Sequence, residues 1–243
     1  VAGDAAGTDT LRTADTQLNL TSTTLTSIEV LSTSNTNGTT FTVNQGDLAS
    51  NGTVGGAAGT DTLRTADTQL DLTSTTLTSI EVLSTSNAGG TTFTVNQGDL
   101  ASGGSVAGDA TGTDTLRTAD TQLDLTSTTL TSIEILSTSN TNGTTFTVNQ
   151  GDLASSGTVA GDAGGTDTLR TADTQLDLTS TTLTSIEILS TSNTNGTTFT
   201  VNQGDLASGG TVAGDAGGTD TLRTADTQLN LTSTTLTSIE VLS

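Results

Sequence analysis

The chain contains no cysteine, histidine, lysine or tyrosine. Without cysteine it forms neither disulfides nor thiolate metal sites. The missing side chains are also those that most often act as general base, nucleophile or proton shuttle, so a catalytic site would have to be built from carboxylates alone. We therefore predict that the chain is not an enzyme.

Basic residues are almost absent as well. Five arginines stand against 26 acidic residues, and the formal net charge is -21 at pH 7. Nucleic-acid binding needs a basic footprint, which this chain lacks. No apolar run approaches the roughly 20 residues of a membrane-spanning helix. We expect no nucleic-acid partner and no membrane insertion.

The five arginines mark an internal repeat. Arg12, Arg64, Arg117, Arg170 and Arg223 each stand in the phrase DTLRTADTQL. Self-similarity at a fixed period is the signature of repeat architectures, in which each unit contacts only its neighbours. The repeats span residues 1–53, 54–105, 106–158, 159–211 and 212–243. We predict that residues 1–243 form one continuous array, taken from a longer one because the last repeat stops mid-unit.

The apolar residues alternate with polar ones inside each repeat. Leu18 and Leu20 are expected to face one way, as are Phe41 and Val43, between threonines and asparagines. A third strand is expected over 27–32, in which Ile28 and Val30 share a face opposite Glu29 and Leu31. Period-two patterns of this kind predict strands, and they argue against disorder despite the high charge. A propeller blade is the rival β architecture, but it usually carries more aromatic bulk than four phenylalanines provide.

The length of the repeat sets the number of coils. A single coil of about 53 residues would enclose a lumen too wide for these side chains to fill. It would also stack Asp9, Asp61 and Asp114 about 4.8 Å apart, where identical carboxylates repel. We therefore predict an all-β repeat β-solenoid, of the parallel β-helix or β-roll type, with two to three coils per repeat.

One short motif resembles a known family. The segment DAAGTDTL, from Asp4 to Leu11, resembles a degenerate form of the RTX nonapeptide GGxGxDxUx, whose glycines and aspartates bind calcium inside a parallel β-roll. Turn carbonyls and aspartates together supply the oxygens that this cation prefers. The resemblance implies calcium, as the only cofactor, at nine aspartates: Asp4, Asp9, Asp61, Asp109, Asp114, Asp162, Asp167, Asp215 and Asp220.

The phrases GTDTL, LTSIEVL and FTVNQGDLA resemble the repeats of large bacterial surface proteins of the RTX-like adhesin type. That resemblance implies export and an extracellular or cell-surface location. The leading functional prediction is an extracellular structural repeat forming a rigid filament, stalk or coat. The alternatives are a calcium-binding adhesin segment and an ice- or surface-binding solenoid that uses threonine rows. Self-association, end to end or side by side, is the expected partnership, because open strand edges pair with copies of themselves.

Overall fold

The computed structural model describes all 243 residues, Val1 to Ser243. The chain is an all-β parallel β-solenoid of about ten coils, each of roughly 23 residues. The predicted fold class is therefore confirmed, as is the prediction of two to three coils per repeat. The chain divides into two compact units. Unit 1 comprises Val1–Arg117 and Ser127–Ile133, and unit 2 comprises Thr118–Thr126 and Glu134–Ser243.

The strands are two to four residues long. The first fourteen are β1 (Thr10–Thr13), β2 (Gln17–Asn19), β3 (Val30–Thr33), β4 (Thr40–Val43), β5 (Thr53–Gly55), β6 (Thr62–Thr65), β7 (Gln69–Asp71), β8 (Thr76–Thr78), β9 (Val82–Thr85), β10 (Thr92–Val95), β11 (Ser105–Ala107), β12 (Thr115–Thr118), β13 (Gln122–Asp124) and β14 (Thr129–Thr131). The remainder are β15 (Ile135–Thr138), β16 (Thr145–Val148), β17 (Thr158–Ala160), β18 (Thr168–Thr171), β19 (Gln175–Asp177), β20 (Thr182–Thr184), β21 (Ile188–Thr191), β22 (Thr198–Val201), β23 (Thr211–Ala213), β24 (Thr221–Thr224), β25 (Thr235–Thr237) and β26 (Val241–Leu242).

Four 3₁₀ turns interrupt the strands, one in each complete repeat. They are η1 (Gln45–Asp47), η2 (Gln97–Asp99), η3 (Gln150–Asp152) and η4 (Gln203–Asp205). No helical segment is long and apolar enough to cross a membrane.

A single coil shows how the strands are arranged. The chain runs through β6, β7 and β8 and returns in β9, where Leu83 lies beside Leu63 in parallel register. The three strands of this coil pair with three different sets of strands, so the coil has three faces. In the next coil β9 and β10 take two of the faces, and η2 stands between β10 and β11, where a third strand would otherwise lie.

Two sheets are complete within unit 1, and every strand pair in them is parallel. Sheet A has the order β1-β3-β5-β8, and sheet B has the order β2-β4-β6-β9-β11-β14. Unit 1 also contains the pair β7-β10. Sheet B begins with a QLN strand and ends with a TLT strand.

Unit 2 repeats this plan. Its sheet C has the order β13-β16-β18-β21-β23-β25, and its sheet D has the order β19-β22-β24-β26. The strands β15, β17 and β20 pair with one another in the same way. Sheet C again begins with a QLD strand and ends with a TLT strand, so the order of phrases within a sheet is fixed.

The core is a stack of single apolar side chains. In sheet B the aligned inward residues are Leu18, Phe41, Leu63, Leu83, Val106 and Leu130. Phe41 and its three counterparts are 0% exposed. Because each coil needs only a few such residues, a chain with 30% hydrophobic content fills its interior. The predicted inward positions Leu20, Phe41 and Val43 are confirmed as buried.

The predicted strand over 27–32 is wrong in its faces, because Ile28 and Leu31 are both buried whereas Val30 is not. The strand β3 begins only at Val30, and Leu31 rather than Val30 is fully buried. A bulge is the physical cause, because the N–H groups of both Glu29 and Val30 donate to the single carbonyl of Asp9, at 3.0 and 3.1 Å. Ser27 has a positive φ of 50° just before it. The extra residue shifts the alternation by one position.

The second to fifth repeats each carry two strands that the pattern of a single repeat does not reveal. The TLT segment forms β8 and its counterparts, and the segment that opens a repeat forms β5 and its counterparts. The glycines of the opening segment indicate only a turn from sequence. Each of these strands has one inward apolar residue, so neither shows the alternation that predicts a strand.

A repeat of 53 residues and a coil of roughly 23 give about 2.3 coils per repeat. The same phrase therefore enters a different sheet in each successive repeat. In unit 1, Arg12 lies in sheet A and Arg64 in sheet B. In unit 2, Arg170 lies in sheet C and Arg223 in sheet D.

Candidate functional site

The predicted calcium aspartates lie at one type of corner, which we call the glycine corner. It is the segment between the strand that opens a repeat and the TLRT strand, residues 56–61 in the second repeat. Asp61 closes this corner and is 0% exposed, as are Asp114, Asp167 and Asp220. Asp9 is only half-buried.

Both carboxylate oxygens of Asp61 accept backbone N–H groups. The N–H of Thr39, one coil below, donates to Oδ1 at 2.7 Å, and the N–H of Ala57 donates to Oδ2 at 2.9 Å. Gly56 makes this approach possible, since a Cβ there would collide with the carbonyl oxygen of Ser79 and lie 2.6 Å from Asp61 Oδ2. The buried carboxylate thus satisfies two amides that no strand would pair.

A glutamate from the next coil completes the corner. The Oε2 of Glu81 accepts the N–H of Asp61 at 2.8 Å, while the N–H of Glu81 donates to the carbonyl of Asp61 at 3.0 Å. In unit 2, Asp167 makes the same contacts with Thr144, Asp162 and Glu187. Burial raises the pKa of Asp167, the two N–H donors oppose that rise, and the charges of Glu187 and Asp162 add to it.

The outer predicted aspartates meet the inner ones in pairs. The N–H of Asp162 donates to Asp167 Oδ2 at 3.0 Å, and the N–H of Asp215 donates to Asp220 Oδ2 at 2.9 Å. The pairs Asp4–Asp9 and Asp109–Asp114 have the same bond at 3.0 Å. Each outer carboxylate then accepts the N–H two residues ahead of it, as in an Asx turn. At Asp109, hydrogen bonds from Thr111 lower the pKa of the carboxyl group.

These contacts test how well the corner fits a cation. Calcium requires six to eight oxygen ligands. In the corner, N–H groups rather than free space face both oxygens of Asp61, and no group of three or more carboxylates is arranged to hold a metal ion. The corner thus supplies hydrogen-bond acceptors for the fold, and calcium binding at the nine aspartates stays a prediction.

A second corner contains buried aspartates outside the nine predicted calcium ligands. We call it the QGD corner, because it is formed by the 3₁₀ turns η1 to η4. Asp152 and Asp205 are 7% and 5% exposed. One carboxylate oxygen of Asp152 accepts the N–H of Asn149 at 2.7 Å, and Asp205 does the same with Asn202. The recurring QGD phrase is the sequence signal, although a turn-forming aspartate gives no sign of its burial.

The QGD corner has an unusual electrostatic environment. Burial raises the pKa of Asp152 to about 6, the N–H of Asn149 opposes the rise, and the nearby carboxylate of Asp173 adds to it. Asp205 has a pKa of about 6 for the same reasons, with Asp226 as the neighbouring carboxylate. Burial also raises the pKa of Asp47, and the nearby carboxylate of Asp67 adds to the rise.

The neighbouring carboxylate has a partner of its own. Asp173 accepts the N–H of Gln150 at 2.7 Å, and Asp226 accepts that of Gln203 at 2.6 Å. No arginine is among the groups that set the pKa of Asp152 or Asp205.

The side-chain amide of the glutamine in the QGD corner makes the two hydrogen bonds that a neighbouring strand would make. In unit 2, Gln150 Nε2 donates to the carbonyl of Asp177 at 3.1 Å, and Gln150 Oε1 accepts the N–H of Asp177 at 2.6 Å. Gln45 does the same for Asp71, and Gln203 for Asn230. One side-chain amide therefore satisfies the open edge of the QLD strand, where each new sheet begins.

Open grooves lie beside two of the QGD corners. One of about 370 Å³ is lined by Asn51, Thr76, Asn96 and Asp99, among others. The equivalent groove in unit 2, of about 450 Å³, is lined by residues that include Ser156, Asn202 and Asp205. Both are open to solvent, so water reaches the rim of the QGD turn.

Two of the arginines bind neighbouring threonines. Arg170 Nη2 donates to Thr147 Oγ1 at 3.1 Å, and Arg223 Nη2 donates to Thr200 Oγ1 at 2.9 Å. In each case the partner is on the preceding strand of the same sheet. The arginine thus adds a rung-to-rung contact on the outer face.

The comparisons with known proteins leave the fold as the basis for classification. No protein-family model matches the chain, and neither a curated protein nor a solved structure matches it.

Proposed function

We propose that the chain is a structural segment of an extracellular bacterial surface protein, in which the solenoid serves as a filament, stalk or coat. The observation that carries this proposal is the fixed order of phrases in sheets B and C, from a QLN or QLD strand to a TLT strand. Each repeat supplies both the strands that extend the existing sheets and the glutamine that starts the next one. Nothing limits how many repeats obey the same rule.

Length is the property that such a rule controls. With about 2.3 coils per repeat and about 4.8 Å between stacked strands, each repeat adds about 11 Å. The repeats differ by few and mild substitutions, such as Val30 against Ile135. Binding and catalytic proteins usually vary their loops to build one site, whereas here every loop is repeated.

The proposal includes self-association and excludes catalysis. Edge strands at the ends of a solenoid pair with further strands, so copies are expected to associate end to end, with association side by side as the second arrangement. The buried carboxylates are engaged by backbone N–H groups, which leaves them poor general bases for a substrate outside the core.

The threonine rows give less support to ice or surface binding. Along one outer row of sheet B the aligned residues are Asn19, Thr42, Arg64, Ser84, Ala107 and Thr131. Arginine and alanine interrupt the row once per sheet. A ligand that matches a regular array of hydroxyl groups would meet these interruptions along every face.

Circular dichroism and thermal melting, each in excess calcium and in excess chelator, test the proposal. We expect the same β spectrum and the same Tm in both conditions, because the corners are satisfied by N–H groups. Collapse of the spectrum in chelator would replace the structural proposal with the calcium-binding adhesin. Thermal hysteresis in the same samples would favour ice binding instead.

A series of chains with two to five repeats provides a second test. A solenoid stabilised by contacts between neighbouring coils gains stability with each added repeat until the end effects become small. We expect Tm to rise along the series in chelator alone. A Tm that does not depend on repeat number would contradict a stacking rule.

A further inference from the structure

Three repeats carry an Asn-Gly pair at the same turn. The pairs are Asn37-Gly38, Asn142-Gly143 and Asn195-Gly196, each between the VLST or ILST strand and the TFTV strand. A fourth pair, Asn51-Gly52, lies in a different turn, after η1. In the second repeat the equivalent turn reads Asn87-Ala88-Gly89-Gly90, which has no asparagine before its last glycine.

An Asn-Gly pair undergoes a characteristic intramolecular reaction, deamidation of the asparagine. The glycine amide nitrogen, deprotonated by hydroxide, attacks Cγ of the asparagine side chain and forms a new C–N bond. The bond from Cγ to the side-chain nitrogen breaks, and ammonia leaves with a proton from water, which gives a five-membered succinimide. Water then opens the ring at either carbonyl, so the product is aspartate or isoaspartate. Glycine permits the attack because it has no Cβ in the way.

In the three equivalent turns no hydrogen bond engages this nitrogen, although the next coil packs closely against each glycine. The side chains of Asn37, Asn142 and Asn195 are exposed. The N–H groups of Gly38, Gly143 and Gly196 donate no hydrogen bond. The N–H of Asn142 itself is held by Asn140 Oδ1 at 3.0 Å, which fixes the turn without engaging the reacting nitrogen.

The fourth pair differs at the reacting atom. The N–H of Gly52 donates to the carbonyl of Ala49 at 2.9 Å, and this hydrogen bond is the difference, since Gly38 and Gly196 are buried as Gly52 is. Attack at Asn51 must first break this hydrogen bond. The chain thus contains the same dipeptide in two environments, one with a free nitrogen and one with an engaged nitrogen.

We propose that Asn37, Asn142 and Asn195 are sites of spontaneous covalent modification, at which the asparagine converts to aspartate and isoaspartate, and that Asn51 is protected. The reaction needs only water and hydroxide. The modification accumulates with time in the first, third and fourth repeats, and the second repeat stays unmodified.

The product acts on the glycine corner. Gly143 packs against the backbone of Thr166, where even a Cβ would lie 2.8 Å from the Thr166 nitrogen. The next residue, Thr144, donates its N–H to buried Asp167 at 2.7 Å. Isoaspartate adds one methylene to the backbone directly before Gly143, and the new carboxylate adds negative charge. We expect the modification to loosen the contact between this turn and the coil above.

Trypsin divides the chain in a way that suits the test, because it cleaves after the arginines. The fragment 118–170 contains only the Asn142 pair, 171–223 contains only the Asn195 pair, and 65–117 contains no Asn-Gly pair. The folded protein is incubated in mildly alkaline buffer, digested and analysed by mass spectrometry, with fragmentation to separate Asn37 from Asn51 in 13–64.

We expect the acid form to accumulate at Asn37, Asn142 and Asn195, with conversion at Asn51 roughly tenfold slower, the effect of one hydrogen bond on a rate. Fragment 65–117 should remain unchanged. Conversion of the three sites in urea but not in the folded protein would overturn the proposal, as would equal rates at Asn51 and Asn142. The variant Thr141→Ala with Asn142→Gly reproduces the turn of the second repeat, and it should abolish conversion in 118–170 while the β spectrum persists.

Discussion

The glycine corner and the QGD corner both bury an aspartate, yet they treat its charge differently. In unit 2, Asp167 accepts two backbone N–H groups, one on each oxygen. Asp152 accepts one and has the carboxylate of Asp173 nearby, and its pKa is about 6. Burial alone therefore does not decide whether a carboxylate supports the fold as an anion. Both aspartates have carboxylates nearby, so the number of N–H donors aimed at each one makes the difference.

The largest expected difference in stability between the two corners comes from the space available for an added Cβ. Gly161→Ala in the glycine corner places a Cβ against the carbonyl oxygen of Ser185 and 2.6 Å from Asp167 Oδ2, so we expect a loss of about 3 kcal/mol. Gly151→Ala in the QGD corner meets no atom within 4 Å and should change stability by less than about 0.5 kcal/mol. Urea denaturation of both variants measures the difference. Equal losses would show that the glycine corner yields more easily than its contacts indicate.

The next largest difference in stability between the two corners is expected when the charge of the buried aspartate is removed. Asp167→Asn replaces one acceptor oxygen with an NH₂ group that faces an N–H donor, so we expect a loss of about 2 kcal/mol at neutral pH. Asp152→Asn keeps one oxygen for Asn149 and removes the repulsion from Asp173, so it should be neutral or slightly stabilising. Melting temperatures at pH 7.5 provide the comparison. Destabilisation of both variants to the same extent would mean that Asp152 is needed as an anion.

The pH dependence of stability follows from the QGD corner. The pKa of Asp152 and of Asp205 is about 6 in the folded chain, above the ordinary 3.8, so folding favours their protonated forms. Their stabilising contribution is fully present below about 3.8 and is lost as the pH rises through about 6. We expect Tm to rise on acidification from pH 7.5 to 5, with a combined effect on the order of 2 kcal/mol.

The net charge of -21 also favours the folded chain at lower pH, so a control is required. The double variant Asp152→Asn, Asp205→Asn retains the general effect of net charge and lacks the two groups. Its Tm should change less between pH 7.5 and 5 than that of the wild type. Parallel curves for the two proteins would remove the QGD corner as the source of the pH dependence.

The smallest expected effect concerns the start of a sheet. Gln150→Ala leaves the N–H and carbonyl of Asp177 without their side-chain partner, and because both are near solvent we expect a loss of about 1 kcal/mol. Gln150→Glu retains an acceptor for the Asp177 N–H and loses the donor, so its loss should be intermediate or similar. Hydrogen exchange at Asp177 reports the effect directly. Unchanged exchange in Gln150→Ala would show that the sheet begins without the amide.

Much of the fold could be predicted from the sequence, because its signals are local. The alternation around Leu18 and Phe41 indicates strands, and the width of a core that these residues can fill sets the coil length. The bulge at Glu29 and Val30 could not be predicted, since it depends on the carbonyl of Asp9 one coil away. For the same reason TDTL indicates an aspartate at a turn but not the N–H of Thr39 that occupies the Oδ1 of Asp61.

The candidate site shows the same limit. The sequence places Asp162 and Asp167 in one motif, and the structure does bring them together. It gives no indication that Asp152 meets Asp173, because the two lie in unrelated phrases 21 residues apart that become neighbours only when the chain completes a coil. Contacts between successive coils are set by the coil length, which varies from 20 to 24 residues along a sheet.

The repeat length is not a whole multiple of the coil length, and this mismatch helps to fix the alignment of the strands. Near-identical repeats invite mispairing, because one repeat can replace another at little cost during folding. Here a slip by one coil sets a QLD strand where a TFTV strand belongs and moves η turns under strands, so the error is costly at once. A slip by one repeat carries every phrase to another face of the coil. A phrase returns to the same face of the coil only after about three repeats, which span about seven coils. A nearly uniform repeat sequence therefore still specifies one alignment of the coils.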